Sequence, residues 1–368
     1  MSKLEQLIQG FCPDGVAFVN ISDVLTIRNG KDYKGFDSGD IPVYGSGGIM
    51  TYIDTAAYDR PSVLIPRKGS LDKLYYVDVP FWTVDTIFFT KIDEEKVYPK
   101  YVYYYLQGQH LERLNKAGGV PSLTQSELNK IKIPLPPLPV QNEIVRILDN
   151  FAELTAELTA ELTSELTARK KQYEYYRNEL FTFGDDIPMI KLGEIGTNLD
   201  SKRRPVTKGI REAGEYPYYG ASGIVDSVSD YIFDGEYLLV SEDGANLVAR
   251  NTPIAFSARG KIWVNNHAHV LEFESYATRR YIEFYLNSID LSRYISTAAQ
   301  PKLNQENLNK ILIPLPSLEE QTRIVSILDR FDALCNDITS GLPAEIETRQ
   351  KQYEYYRDKL LFFKEASA

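Results

Sequence analysis

Apolar side chains recur at intervals of three and four along two long stretches of this chain. In the first, Ile144, Ile147, Leu148, Phe151, Leu154, Leu158, Leu162, Leu166, Tyr173, Tyr176 and Leu180 fall on one face of a helix predicted from about Pro139 to about Thr182. At ~1.5 Å per residue this is roughly 65 Å of rod. In the second, Ile324, Ile327, Leu328, Phe331, Leu334, Ile338, Ile346, Tyr353, Tyr356 and Leu360 repeat the pattern from about Leu318 to about Phe362. Gly341-Leu342-Pro343 interrupts that helix and predicts a kink or break. Stripes this long are packing seams, so the two rods are expected to pack on each other, through the residues from Phe151 and from Phe331 onward. Between Ala152 and Thr167 the chain reads Ala-Glu-Leu-Thr three times and then Ser-Glu-Leu-Thr. Four-residue steps depart from the heptad and locally unwind a coiled coil, and each unit is worth ~6 Å of rod.

The segment before each seam is β-rich. Val43-Tyr44-Gly45-Ser46-Gly47-Gly48-Ile49 has a counterpart in Tyr218-Tyr219-Gly220-Ala221-Ser222-Gly223-Ile224. The apolar runs Ser62 to Ile65 and Tyr237 to Val240 follow these turns and predict strands. Pro99 to Leu106 and Arg279 to Leu286 predict helices. Beyond them the two copies converge: Ile133-Pro134-Leu135-Pro136 matches Ile313-Pro314-Leu315-Pro316, Gln141 matches Gln321, and Lys171 to Arg177 matches Lys351 to Arg357, always 180 positions apart. An offset that long, against ~20 to 50 residues for solenoids, marks a duplicated domain. Thr124 to Glu127 and Ser317 to Glu320 read as capping boxes at helix starts.

Composition is that of an ordinary globular protein with room for two or three cores. No stretch reads as a signal peptide or a membrane span, so a cytoplasmic location is expected. Cys12 and Cys335 are too few for a disulfide framework or a cysteine zinc site. Phosphate-cradling and dinucleotide-binding glycine motifs are absent, as is His-Glu-x-x-His. His267 and His269 alternate along a predicted strand, with ordinary partners expected and no metal. Glu94-Glu95-Lys96 resembles half of a nuclease signature but lacks a placed aspartate. No catalytic residue is therefore assigned.

The net charge of −10 is segregated: Glu153, Glu157, Glu161 and Glu165 share one helix, whereas cations gather at turns. Arg28, Lys31 and Lys34 share a loop with Gly30 and Gly35, and Arg67, Lys68 and Lys73 flank Gly69-Ser70. In the second copy Lys202, Arg203, Arg204, Lys208 and Arg211 crowd the early loop, with Arg250, Arg259 and Lys261 later. Such clusters, at turns where backbone can approach phosphates, predict DNA contact. Glu242-Asp243-Gly244-Ala245-Asn246 reads either as a functional loop or as a plain turn.

The duplicated layout, the Tyr-Gly-Ala-Ser-Gly turn, the Ile-Pro-Leu-Pro segments ending at Gln141 and Gln321 and the Thr-Ala-Glu-Leu repeats together resemble the specificity subunit of type I restriction-modification enzymes. The resemblance implies an α+β, pseudo-twofold chain with two similar mixed α/β target-recognition domains, separated by two long helices packed as an antiparallel coiled coil. It places the domains at 1–137 and 184–316 and the helices at 138–183 and 317–368. It further implies a non-catalytic subunit that reads half of a split duplex DNA target with each domain. Two methyltransferase subunits using S-adenosylmethionine, and motor-nuclease subunits, would do the chemistry, with no cofactor in this chain. Recognition loops would lie around Arg28 to Lys34, Arg67 to Lys73, Lys202 to Arg211 and Glu242 to Asn246, where Asn246 would pair with adenine. Half-sites one helical turn apart call for docking surfaces ~34 to 36 Å from each other. Competing readings are a DNA methyltransferase or nuclease with an unrecognised site, and a coiled-coil adaptor without a DNA role.

Overall fold

The computed structural model describes residues 1–116, 119–296, 301–337 and 339–366; Ile338, expected in the second seam, lies outside them. Two compact units emerge: Met1–Leu162 with Glu345–Ala368, and Thr163–Ala344.

Unit 1 opens with helix α1 (Lys3–Phe11), capped by Ser2 and Glu5. Strand β1 (Phe18–Asn20) pairs with a strand far along the chain, described below. A four-stranded sheet runs in the order β2 (Leu25–Asn29), Ile87–Ile92, Ser62–Pro66, Tyr75–Val77, and a three-stranded one in the order Gly48–Ile53, Ile41–Gly45, Trp82–Thr83. In chain order these are β3 (Ile41–Gly45), β4 (Gly48–Ile53), β5 (Ser62–Pro66), β6 (Tyr75–Val77), β7 (Trp82–Thr83) and β8 (Ile87–Ile92). β5 is buried along its whole length, the mark of a central strand. Helix α2 (Pro99–Gln107) starts on proline and buries Tyr101, Val102 and Leu106 against that sheet's core. β9 (Lys132–Pro134) then pairs antiparallel with β1.

Helix α3 (Leu138–Leu180) matches the first predicted rod within two residues at each end. Its opening residues Val140, Ile144, Val145 and Leu148 complete the unit 1 core, which Leu361 and Phe363 also enter.

Unit 2 repeats the scheme. β10 (Met189–Lys191) occupies the place of β1. A six-stranded sheet runs β11 (Thr197–Asn198), Ala268–Glu272, Phe233–Ser241, Ala255–Val264, Ala213–Gly220, Gly223–Val228. In chain order the latter five are β12 (Ala213–Gly220), β13 (Gly223–Val228), β14 (Phe233–Ser241), β15 (Ala255–Val264) and β16 (Ala268–Glu272). Long β15 serves both halves of this sheet, whereas in unit 1 two separate sheets do so. Helix α4 (Tyr276–Ser288), strand β17 (Leu312–Pro314) and helix α5 (Leu318–Asn336) follow, with β17 paired to β10. Ile324, Val325 and Leu328 of α5 enter the unit 2 core, and Tyr173, Leu180, Phe181 and Phe183 pack against it.

The second rod is broken rather than kinked: α5 stops at Asn336 and α6 (Leu342–Leu361) begins after Gly341. A side chain at Gly341 would stand 2.6 Å from the Ala333 carbonyl, so only glycine closes this turn. The seams meet within each unit. In unit 1 Phe151 of α3 packs on Tyr356 of α6, ring centroids 5.8 Å apart. In unit 2 Phe331 of α5 packs on Tyr173 and Tyr176 at 6.1 and 5.8 Å. Cys335, a turn beyond Phe331, feels the charges of Arg169 and Lys170, a turn before Tyr173, so α3 and α5 run antiparallel. The mid-rod residues Leu158, Leu162 and Leu166 are only half-buried, as are Leu180, Ile346, Tyr353 and Leu360, while Leu154 and Leu334 are exposed.

Of the two capping boxes, each is half-formed: Thr124 and Ser317 accept from the backbone of Glu127 and Glu320, whose carboxylates instead pair with Lys116 and Arg323. The proline linkers are held by buried polar side chains. Gln141 donates to the Pro136 carbonyl at 2.7 Å and the Lys96 carbonyl at 3.2 Å, and accepts from the Tyr98 amide at 2.8 Å. Gln321 donates to the Pro316 carbonyl at 2.8 Å and accepts from the Thr278 hydroxyl. The Tyr101 and Tyr281 hydroxyls donate to the Pro134 and Pro314 carbonyls at 3.0 and 2.7 Å. Gln141→Ala would strand a buried amide and two carbonyls, and urea unfolding is expected to show a loss of about 2–3 kcal/mol. A loss under about 0.5 kcal/mol would show that water replaces the amide.

Candidate nucleic-acid interface

Strand pairing aligns the units residue by residue. Ile65 faces Phe88 and Val240 faces His269, so the turns that follow β5 and β14 correspond: Arg67 to Glu242, Lys68 to Asp243, Gly69 to Gly244. The Leu123 amide donates to the Arg67 carbonyl at 2.9 Å, and the Leu303 amide to the Glu242 carbonyl at 2.8 Å. Gly69 and Gly244 both take left-handed backbone, with φ of 87° and 103°. The same turn thus carries two cations in unit 1 and two carboxylates in unit 2.

In unit 1 this turn faces outward. Arg67 lies over the Phe88 ring at 5.8 Å and donates to the Asp85 carbonyl at 3.4 Å. Lys68 is exposed, 3.9 Å from the exposed Asp85 carboxylate, and Lys73 is exposed nearby. The Ser46 hydroxyl would touch a side chain at Gly69, so the β3–β4 turn stands beside these cations. Arg28, expected in the loop, is instead exposed near the end of β2, paired with Phe89, while Lys31 and Lys34 are exposed on the loop that follows, where Asp32 accepts from the Tyr33 and Lys34 amides and shapes the turn. Arg28 and Lys31 line, with Lys91, Trp82 and Thr83, an open cleft of about 560 Å³.

In unit 2 the equivalent turn is bound inward. Glu242 accepts from Arg203 at 2.6 Å and from Lys302 at 2.9 Å. His269, fully buried where unit 1 has Phe88, is bonded to Asp200 at 2.6 Å and to the Leu303 carbonyl at 2.7 Å. Burial pushes the Asp200 and Glu242 carboxyls up, but bonds from His269 to Asp200, and from Arg203 and Lys302 to Glu242, outweigh it and hold both below their ordinary values. Ligand atoms of Asp200, Glu242 and His269 come within 4.8 Å of one another. Guanidinium and ammonium already occupy these carboxylates, so the cluster is an internal ion network.

Four of the residues expected to contact DNA have internal partners. Arg203 is spent on Glu242, Asp200 and the Ala268 carbonyl. Arg211 pairs with Asp226 at 2.9 Å and covers the Tyr218 ring at 4.1 Å. Arg250 donates to the Leu286 and Ile289 carbonyls at the end of α4. Asn246 donates to the Thr252 carbonyl at 2.9 Å and accepts from the Thr252 amide at 3.0 Å, which fixes the orientation of its side-chain amide. Beside these anchored side chains Lys202, Arg204 and Lys208 stay exposed, with Arg259 exposed on β15 and Lys261 over the Tyr231 ring at 4.8 Å. His267 lies beside Asp243 at 2.9 Å, outside the strand. Lys96 pairs with Asp93, so the Glu94 triplet forms a surface turn. Lys91 was absent from the sequence-derived clusters; its signal is a lone cation in an otherwise buried strand.

A family model described as the type I restriction modification DNA specificity domain matches residues 13–168 and again 185–348. A putative type I restriction enzyme specificity subunit of Haemophilus influenzae is 33% identical, over 98% of this chain and 98% of that protein. The EcoR124I/EcoR124II specificity subunit of Escherichia coli is 33% identical, over 99% of this chain and 97% of that one. Among solved structures, the type I restriction-modification S subunit from M. genitalium superposes with a TM-score of 0.53 at 18% identity, over 94% and 95% of the chains. A chain from a type I restriction-modification complex superposes with a TM-score of 0.64 at 16% identity, over 95% and 98%. No helix of the described residues is long and apolar enough to cross a membrane. Two matches in tandem, over a chain built as two equivalent α+β units, make this protein a member of the type I restriction-modification DNA specificity family, a non-catalytic specificity subunit.

Proposed function

We propose that each unit reads one half of a bipartite duplex DNA target, with 1–137 and 184–316 as target-recognition domains and 138–183 and 317–368 as spacer helices. The observation that carries this reading is the duplicated frame with unlike charged turns, Arg67-Lys68 against Glu242-Asp243. Identical heads would read a palindrome; diverged heads on one frame read two different half-sequences. Unit 1 contacts DNA through Arg28, Lys31, Lys34, Arg67, Lys68 and Lys73, unit 2 through Lys202, Arg204, Lys208, Arg259 and Lys261. Two methyltransferase subunits supply S-adenosylmethionine chemistry on adenine N6, and motor-nuclease subunits supply cleavage, in the cytoplasm. The four-residue repeats of α3 set the gap between half-sites, since their glutamates are exposed and none of their side chains enters either core, so units can be added without disturbing the heads.

Deleting Thr155 to Leu158 is expected to change the permitted gap and to leave both half-sequences intact, as read by methylation mapping of the assembled complex. Altered half-sequences would refute the spacer role. Exchanging residues 16–120 for those of a relative should alter one half-site only; changes in both halves would end the one-head, one-half reading. Lys68→Ala is expected to weaken DNA binding evenly across sequences and to flatten the salt dependence by about one unit of slope, whereas Asp243→Ala leaves the slope unchanged in titrations across salt.

A further inference from the structure

The two units share one contact that neither the strand ladder nor the common sequence dictates. In unit 1 β7 pairs parallel to β3, with Trp82 opposite Val43, and the indole N–H donates to the Lys31 carbonyl at 2.9 Å. In unit 2 β15 pairs parallel to β12, with Trp263 opposite Tyr218, and its indole N–H donates to the Arg204 carbonyl at 2.6 Å. Around the two tryptophans the sequences differ, Pro80-Phe81-Trp82-Thr83 against Lys261-Ile262-Trp263-Val264. The held loops differ in length as well: Asn29 faces Phe88 and Asp200 lies beside the equivalent His269, yet the held residue is two positions later in one unit and four in the other. Despite that, both indoles hold the peptide of an exposed cation.

Each anchor is reinforced locally. The Lys31 amide donates to the Thr83 carbonyl at 2.8 Å, so the peptide groups before and after the Lys31 Cα are both held. Gly30 lies so near β7 that a Cβ would stand 2.0 Å from the Val84 carbonyl. Phe36 packs on the Trp82 ring at 4.6 Å. In unit 2 the Tyr218 hydroxyl accepts from the Val206 amide at 3.0 Å, and Arg203 is tied into the ion network. Backbone is fixed on either side while the Lys31 and Arg204 side chains stay exposed.

We infer that Trp82 and Trp263 are positioning residues for half-site reading: each indole N–H sets where one cation of its reading head meets the duplex. This rests on the bipartite reading proposed above. A cation on a loop free to shift by an ångström cannot distinguish one base edge from another, whereas a clasped peptide fixes its reach.

The test uses the complete complex carrying Trp82→Phe or Trp263→Phe, with methylation profiled on a library varied at every target position. Trp82→Phe is expected to relax base preference about three- to tenfold in the half-site that the 16–120 exchange alters, and in no other. Trp263→Phe should do the same for the opposite half. Lys31→Ala and Arg204→Ala provide the second arm: adding Trp82→Phe to Lys31→Ala, or Trp263→Phe to Arg204→Ala, should produce no further relaxation in that half. Unchanged preference in both phenylalanine variants, equal relaxation of both halves by either, or full additivity with the cation variants would each overturn the inference. If the bipartite reading itself fails, the unmodified complex shows no two-part preference, a result separable from all of these.

Discussion

Proline-rich linkers create a problem that the rest of each unit is arranged around. Pro134 and Pro136, like Pro314 and Pro316, lie where the chain passes from a short strand into a long helix, and their carbonyls are buried without a continuous helix to receive them. Tyr101 and Gln141 satisfy them in unit 1, Tyr281 and Gln321 in unit 2. One tyrosine comes from the helix after the sheet and one glutamine from the long helix itself, so a single patch of hydrogen bonds fixes the angle between sheet, α2 or α4, and rod. Small misplacement there is amplified along a helix of 43 residues. This explains why the sequence is most alike around the linkers and least alike in the loops.

Above that shared base the two heads solve one electrostatic problem in opposite ways. A turn with left-handed glycine follows the central strand in each, its backbone bonded to Leu123 or Leu303. Unit 1 lets the turn be cationic and covers its inner face with an aromatic ring, Phe88 under Arg67. Unit 2 makes it acidic, and a partly buried carboxylate needs partners. Arg203, His269 and Lys302 provide them, at the expense of cations that would otherwise face solvent. The cationic face in unit 2 accordingly moves to Lys202, Arg204 and Lys208 on a neighbouring loop.

Much of the frame was legible from residues alone. The 180-residue offset, the rod from Leu138 to Leu180 and the glycine break after Asn336 all follow from patterns that depend on few neighbours: period, proline and glycine. The sequence at Gly341 allows a kink or a break; the choice of a break rests on the backbone carbonyls crowding that glycine, which only the fold shows. Loop cations were legible as clusters and not as individuals. Lys202 and Arg203 are adjacent and alike in sequence, yet one is exposed and the other half-buried in a network, because only the fold brings Asp200, Glu242 and the Ala268 carbonyl to the second. The pairing of the Asn246 side chain with the Thr252 backbone is likewise a product of the fold that the sequence does not show.

A net charge of −10 is compatible with a DNA-facing surface because local clusters of cations, not the sum over the chain, set the field there, and several acids are consumed elsewhere. Glu242 and Asp200 are neutralised internally, and Glu283 is buried against Arg280. Glu153, Glu157, Glu161 and Glu165 sit on α3, where they keep a half-buried leucine stripe from becoming an apolar surface. Of the remaining cations, Arg28, Arg259 and Lys261 stand on paired strands and Lys31 and Arg204 on loop backbone held by tryptophan, so less ordering is left to be done there when a phosphate or base edge arrives. Local charge on a rigid loop, rather than the sum over the chain, therefore decides what these heads attract.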